Sequence, residues 1–138
     1  MTSSPRDVAP PSGGTAPPAT ATVRGETLHL TPLAEEVARR FGLEFPDERE
    51  RYGEAANAWC VHDNQWLLGW AAEGLALGDR HFLANVRWLA RILRARDYPA
   101  ERLVRDLELA AEVVGEQTPA SRDLARVLLT GAGALRRR

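Results

Sequence analysis

Helix-start signals and apolar repeats divide the chain from Thr31 onward into segments of helical length, and this pattern constrains the fold most strongly. Thr31-Pro32 is typical of a helix start, with a capping side chain followed by proline at the first helical position. Apolar residues then recur every four positions, at Leu33, Val37 and Phe41, which places them on one face of a helix. The pattern therefore predicts a first amphipathic helix that begins at this threonine.

The same reasoning predicts four further helices. Their starts are Asp47 with Glu50 in a capping box, Asp79, Pro99 and Thr118-Pro119. The helix that opens at Asp47 can run to about Leu77, although the glycines inside it leave its continuity open. The last helix is expected to end at Gly131 and Gly133.

Short connections between these helices favour antiparallel neighbours, so the sequence predicts an all-α fold, a four- to five-helix bundle over residues 31–130. Residues 1–22 consist almost entirely of Pro, Ala, Ser, Thr and Gly and are expected to form a disordered tail, either solubilising or docking. Residues 23–30 alternate briefly but have no obvious partner strand, so 1–30 is expected to be a tail and an extended lead-in. A Gly/Arg-rich C-terminal tail is expected over residues 131–138.

Composition narrows the classes of protein to consider. The single cysteine, Cys60, excludes an intramolecular disulfide and a cysteine-based zinc site. No apolar run approaches the roughly 20 residues that span a bilayer, and the N-terminus lacks the apolar core of a signal peptide. All 18 basic residues are arginine, but the net charge of −1 gives no overall attraction to nucleic acid. We therefore expect a cytoplasmic protein without membrane association.

The segment 59-WCVHDNQWLLGW-70 contains three of the four tryptophans, the only cysteine and one histidine. On a helical wheel Trp59, Trp66 and Trp70 fall on one face, and Asp63 lies within the same arc. We therefore predict that these side chains face the interior of the bundle. An isolated buried carboxylate is costly, so Asp63 must be hydrogen bonded, paired or protonated.

Two interpretations of the polar patch at residues 62–65 remain open. Asp63 can accept hydrogen bonds that fix how helices dock, or it can cap a helix that breaks at this point. Alternatively, it lines a pocket for a flat or apolar ligand together with the neighbouring histidine and indoles. The candidate ligand-binding residues are Trp59, His62, Asp63, Trp66 and Trp70.

Catalytic and metal-binding patterns are not evident in the sequence. Cys60, His62 and Asp63 are too close along one helix to converge on a single reacting atom. No metal ligand stands at helical spacing from His62 or His81. We therefore predict no catalytic residues, no metal site and no required cofactor, and we expect that the protein is not an enzyme.

The third predicted helix carries four arginines opposite its apolar stripe. They form either a solvated face or a docking surface for an acidic partner. Trp88 lies off the stripe, as the flank of a wide core or as an exposed anchor. No exposed base-reading helix is evident, so nucleic acid is not the expected partner. The candidate partner-binding residues are Arg80, Arg87, Arg91, Arg94 and Trp88.

Residues 75–115 resemble the helical module that precedes the corrinoid-binding domain in cobalamin-dependent methyltransferases and regulators, over about 41 of the 138 residues. The shared features are Leu75 with Gly78-Asp79 opening a helix, Pro99 opening the next, and Ala-x-x-Val-Gly from Ala111 to Gly115 closing it. In that family the bundle covers the upper face of the corrin, and a following α/β domain carries the cobalt-ligating motif. The resemblance implies a helical bundle with a sensor or cap role, and cobalamin or another tetrapyrrole as a candidate ligand.

Two functional hypotheses follow from the sequence. The first is a non-enzymatic regulatory or adaptor module that docks a protein partner through its arginine face. The second is a sensor that binds a small molecule or cofactor, with cobalamin as a candidate, in the pocket of tryptophan, histidine and aspartate. The sequence leaves the partner, the ligand and the oligomeric state open.

Overall fold

The computed structural model describes residues 9, 11 and 14–137, in which a β-hairpin precedes six helices. The elements are β1 (Thr20–Val23), β2 (Glu26–His29), α1 (Leu30–Glu44), α2 (Asp47–Tyr52), α3 (Ala56–Leu77), α4 (Asp79–Ala95), α5 (Ala100–Gly115) and α6 (Pro119–Arg136). The predicted helical bundle is confirmed in its general form. Half of the predicted N-terminal tail, at positions 1–8, 10, 12 and 13, lies outside the described residues.

The predicted extended lead-in is instead part of a two-stranded antiparallel hairpin. Arg24 and Gly25 connect the strands with φ angles of 51° and 79°, the left-handed conformation of a type I′ turn. Val23 and Leu28 are buried and attach the hairpin to the helices. The prediction of an isolated lead-in was wrong because the partner strand, Thr20–Val23, comes largely from the segment assigned to the tail.

Local capping signals located some helix starts better than others. Thr118 caps α6 as predicted: its Oγ1 accepts a hydrogen bond from the Ser121 amide at 3.3 Å, and the Ser121 hydroxyl accepts one from the Thr118 amide at 3.0 Å. The capping box predicted at Asp47 does not form, since α2 has no side-chain cap. The Asp47 carboxylate instead accepts a hydrogen bond from Arg102 on α5 at 2.9 Å.

The helix predicted from Asp47 to Leu77 is broken, and the break lies at Gly53 rather than at the polar patch. Gly53 has a φ of 89°, which a residue with a side chain rarely adopts, and α2 ends there. The chain resumes as α3 and continues without interruption through His62 and Asp63. Asp63 is therefore an interior residue of the helix and not a cap.

Helix α3 is the central element of the bundle. It packs against α1, α4 and α6, while α5 packs along α6 and α1. The largest side chains that these contacts bury completely include Phe82, Leu67, Leu107 and Leu124. None of the described helices is long and apolar enough to cross a membrane.

The buried face of α3 is not the one that the wheel predicted. Leu67, Leu68 and Ala71 are buried at the centre of the bundle, whereas the three indoles of the helix are only half-buried. Because apolar residues surround much of α3, the wheel could not select one face. Leucine and alanine let the neighbouring helices approach closely, and the bulky indoles lie between helices at the flanks. The prediction that the tryptophans face the dry interior was therefore wrong.

Helix α6 continues through Gly131 and Gly133 to Arg136, so the predicted stop and the C-terminal tail from 131 were wrong. The first of these glycines serves packing. A Cβ atom placed on Gly131 would lie 2.6 Å from Cε2 of Phe82, whose side chain is completely buried. The missing side chain at this position lets α4 pack closely against α6.

This contact predicts opposite effects for two glycine-to-alanine substitutions. Gly131→Ala is expected to lower the free energy of unfolding by about 1–3 kcal/mol, because the new methyl group displaces the Phe82 ring. Gly42→Ala, in α1 with open space around it, is expected to raise the same quantity by about 0.5–1 kcal/mol. Urea denaturation of both variants measures these changes, and equal effects would contradict the packing role of Gly131.

Candidate functional site

A cleft of about 900 Å³ lies between α3, α5 and the end of α4, with α2 along one side. Its volume is within the range of roughly 300–1,000 Å³ typical of small-molecule sites. Its described aromatic lining residues are Phe41, Tyr52, Trp59 and Tyr98. Its described polar and charged lining residues are Glu48, Cys60, Asp63, Asn64, Arg96, Asp97, Arg102 and Asp106.

Asn64 and Asp106 form the buried base of the cleft. Asn64 is 1% exposed, and its Nδ2 donates to the Cys60 carbonyl at 2.9 Å and to Oδ1 of Asp106 at 3.0 Å. These two hydrogen bonds fix the orientation of the amide, since the flipped amide would place its oxygen against two acceptor oxygens and lose both bonds. The Oδ1 atom of Asn64 is therefore left buried without a hydrogen-bond partner among the described residues.

Asp106 is 6% exposed and has an unusual protonation equilibrium. Burial raises the pKa of this carboxyl to about 7, with the Asn64 hydrogen bond opposing the shift and the nearby Asp63 charge adding to it. The Cys60 sulfur lies 3.9 Å from Oδ1 of Asp106. Burial also raises the pKa of the Cys60 thiol, so the sulfur stays protonated at neutral pH.

Asp63 is more exposed than Asp106, and its carboxylate contacts His62. Nδ1 of His62 lies 3.1 Å from Oδ1 of Asp63, and the imidazole ring contacts Trp59 edge-on with centroids 5.0 Å apart. The Asp63 side chain is 40% exposed, yet the surrounding protein still raises its pKa through loss of hydration, which the His62 hydrogen bond opposes. His62 thus positions two residues that line the cleft.

The aromatic wall opposite this carboxylate consists of Tyr52 and Tyr98, whose rings are 5.5 Å apart and tilted by 43°. Tyr98 donates to Glu48 at 3.0 Å, and Arg102 donates to the same carboxylate at 2.5 Å and to Asp47 at 2.9 Å. These contacts join α2 to α5 and neutralise Arg102. The Tyr52 hydroxyl is buried without a hydrogen-bond partner among the described residues.

The structure separates the five residues predicted to share a pocket. Trp59 and Asp63 line the cleft, and the Trp59 indole N–H also donates to the Ala9 carbonyl at 2.6 Å. His62 contacts both residues but is not among the lining residues. Trp66 and Trp70 lie elsewhere, in a ring cluster with Trp88. The centroid distances there are 6.1 Å between Trp66 and Trp70 and 6.4 Å between Trp70 and Trp88.

Sequence reasoning missed the two residues at the base of the cleft. Asp106 carried a usable signal, because this charged residue stands inside the apolar stripe of α5, three positions after Leu103 and four before Ala110. Asn64 lies within the run of polar residues 62–65, where the sequence alone gives no sign of its role. Nothing local indicated that these two residues meet, since 42 positions separate them.

The structure also separates the residues of the predicted arginine face. Arg87, Arg91 and Arg94 of α4 join Arg137 around a hollow of about 290 Å³ beside the end of α6. Arg80 is exposed but does not line this hollow, and Trp88 is 49% exposed and makes an edge-type ring contact with Trp70. Within the described part of the chain, the four arginines that line the hollow have no carboxylate partner. Nine other described arginines form ion pairs.

Comparisons of the chain with protein-family models, with curated proteins and with solved structures find no match. Across residues 9, 11 and 14–137, no group of three or more His, Cys, Asp or Glu side chains is arranged to hold a metal ion. The function is therefore argued from the cleft and the arginine hollow themselves.

The raised pKa of Asp106 predicts an inverse dependence of stability on pH. Between the ordinary carboxyl value of 3.8 and about 7, the folded protein holds a proton that the unfolded chain releases, so stability falls as pH rises through this window. The loss is on the order of 4 kcal/mol. Asp106→Asn removes it, and its advantage over wild type in urea denaturation should grow from pH 5 to pH 8. If the free energy of unfolding changes with pH in the same way in both proteins, the pKa of Asp106 is not raised in the folded state.

Proposed function

We propose that this chain is a non-enzymatic helical domain that binds a small molecule in the cleft between α3 and α5. The observation that carries the proposal is the pair of buried polar atoms at the cleft, Oδ1 of Asn64 and the Tyr52 hydroxyl, which have no partner among the described residues. An unsatisfied buried polar group costs roughly 1–3 kcal/mol. A ligand that hydrogen bonds to both atoms would recover that free energy on binding.

The chemistry of the cleft supports binding rather than catalysis. Its described lining residues include no histidine, and the Cys60 thiol is held in its protonated, weakly nucleophilic form. Arg102 is engaged by two carboxylates and is therefore poorly placed to bind a substrate anion. These features favour a site that holds and orients a molecule without transforming it.

A sensor role is supported by the link between the cleft and the N-terminal segment. Trp59, which lines the cleft, donates its indole N–H to the Ala9 carbonyl, and Ala9 also borders the cleft. A ligand that moves this indole would break or make the contact, and so would change the position of Ala9 relative to α3. The segment that resembles the corrinoid-associated module contributes Leu89, Leu93 and Asp106 to the cleft, so corrinoids belong among the ligands to test.

Two tryptophan substitutions on α4 test the proposal. Ala95 is exposed and borders the cleft, so Ala95→Trp is expected to block it and weaken ligand binding by tenfold or more. Ala84, exposed on the same helix and away from the cleft, provides the matched control Ala84→Trp. A thermal-shift screen of corrinoids, tetrapyrroles, flavins and aromatic amines identifies binders, and isothermal titration calorimetry compares the variants.

The result that contradicts the proposal is a screen in which no compound prefers wild type to Ala95→Trp. The visible spectrum of protein purified from its own host is a second readout. A bound chromophore that is retained by Ala84→Trp and lost from Ala95→Trp would support the cleft as its site.

The arginine hollow favours a second candidate function, docking of an acidic protein segment. Arg87, Arg91, Arg94 and Arg137 surround a concave surface, and none is neutralised by a described carboxylate. Unpaired guanidinium groups in a hollow bind carboxylates through paired N–H donors. An adaptor role would use this surface, which is formed by α4 and the end of α6.

Charge reversal tests this second candidate. The double variant Arg87→Glu/Arg91→Glu is expected to weaken binding of a hexaglutamate peptide by at least tenfold at low salt, because two attractive charges become repulsive. Arg122→Glu, on an exposed arginine near the start of α6, is the matched control and is expected to change binding little. Fluorescence anisotropy of the labelled peptide measures the affinities, and equal binding to both variants would exclude the hollow.

A further inference from the structure

We propose that the cleft selects an organic cation, a protonated amine on a flat or apolar body, with its N–H donors toward Asn64, Asp63 and Asp106. This inference rests on the proposed function of the cleft and specifies the chemical class of its ligand. It follows from three properties of the lining: its free hydrogen-bonding atoms, its charge and its aromatic faces.

The hydrogen-bonding atom at the base is an acceptor. Asn64 uses its amide nitrogen for the Cys60 carbonyl and Asp106, so the atom that remains for a ligand is the carbonyl oxygen Oδ1. Its side chain is 1% exposed, so this oxygen cannot rotate toward bulk water. A ligand must therefore present a donor at this point, and a carboxylate or phosphate group would place an oxygen against an oxygen.

The charge of the lining points the same way. Arg102 is neutralised by Glu48 and Asp47, at 2.5 Å and 2.9 Å. Asp63 and Asp106 form no ion pair with an arginine among the described residues, although the charge of Arg96, which also lines the cleft, favours the ionised form of Asp63. An incoming positive charge lowers the free energy of both ionised carboxylates, whereas a negative charge raises it.

The walls suit the body of such a ligand. Trp59 borders the cleft on α3, and the Tyr52 and Tyr98 rings border it from α2 and from the connection between α4 and α5. Aromatic faces attract cations through their quadrupole and stack on flat rings. Apolar Leu67 and Leu93 complete the enclosure. Carboxyls inside the cleft and rings along its walls are the combination that distinguishes an aromatic amine from its neutral or anionic analogue.

Binding of a cation is coupled to the proton on Asp106. Among the described residues, the other titratable or charged groups that face this region are Glu48 and Tyr52 on α2, Cys60 and Asp63 on α3, Arg96, Asp97 and Tyr98 after α4, and Arg102 on α5, and His62 contacts Asp63. Because the carboxyl has a pKa of about 7, its ionised fraction rises about tenfold between pH 6 and pH 8. The affinity for a cation is expected to rise by a similar factor, with release of a proton.

Three tricyclic probes of the same shape test the charge preference. They are 9-aminoacridine, a cation at these pH values, acridine, which is neutral at pH 8, and acridine-9-carboxylate, an anion. Isothermal titration calorimetry at pH 8 is expected to give at least tenfold tighter binding of 9-aminoacridine than of acridine, and weakest binding of the carboxylate. The affinity of 9-aminoacridine should fall about tenfold at pH 6.

Asp106→Asn is expected to lower the 9-aminoacridine affinity at least tenfold and to remove its pH dependence, with acridine affinity within about twofold of wild type. Asp63→Asn is a second variant, which is expected to weaken binding of the cation while the buried base, Asn64 and Asp106, stays intact. If 9-aminoacridine binds wild type no more tightly than acridine, or binds Asp106→Asn as well as wild type, the inference is overturned.

The Ala95→Trp variant separates failure of the inference from failure of the proposed function. If acridine binding is lost in Ala95→Trp while 9-aminoacridine shows no preference, the cleft is a ligand site and its selectivity for cations is wrong. If binding of every probe is unaffected by Ala95→Trp, both the cleft and its selectivity are wrong.

Discussion

The hydrogen bond from Asn64 to Asp106 is the interaction on which the cleft depends. It joins α3 to α5 at a point where both side chains are removed from water. A carboxyl in such surroundings must be hydrogen bonded or protonated; here the amide donates to it, and its pKa is raised to about 7, so that a proton is partly retained at neutral pH. The pair lines the cleft, fixes the amide orientation and leaves one buried acceptor atom, Oδ1 of Asn64, without a partner among the described residues.

The bundle is closely packed on one side of α3 and open on the other. Toward α4 and α6, small residues let Phe82 fill the space: a Cβ on Gly74 would lie 3.2 Å from the Phe82 Cβ, and one on Gly131 would lie closer still to its ring. Toward α5, the space between the helices is the cleft, which α3 lines with Ala56, Trp59, Cys60, Asp63, Asn64 and Leu67. The close-packed side holds α3 in place, so that the open side can keep its shape.

Arginine performs two different roles in this protein. Some guanidinium groups join separate elements, as Arg102 does between α5 and α2, Arg40 between α1 and Glu116, and Arg24 between the hairpin and Asp123. Most such pairs are exposed and screened by solvent, so they orient elements more than they stabilise them. The arginines around the hollow beside α6 have no such partner within the described chain, which leaves their charge for binding.

The sequence by itself determined where helices occur, because caps, prolines and apolar spacing act within a few residues, as at Thr118 and along Leu33, Val37 and Phe41. It did not determine whether a glycine ends a helix or admits a neighbour, since Gly53 does the first and Gly131 the second. It also could not select the buried face of α3, where most directions are apolar. Those choices, and the meeting of Asn64 with Asp106, depend on contacts between residues far apart in the chain, and only the tertiary structure decided them.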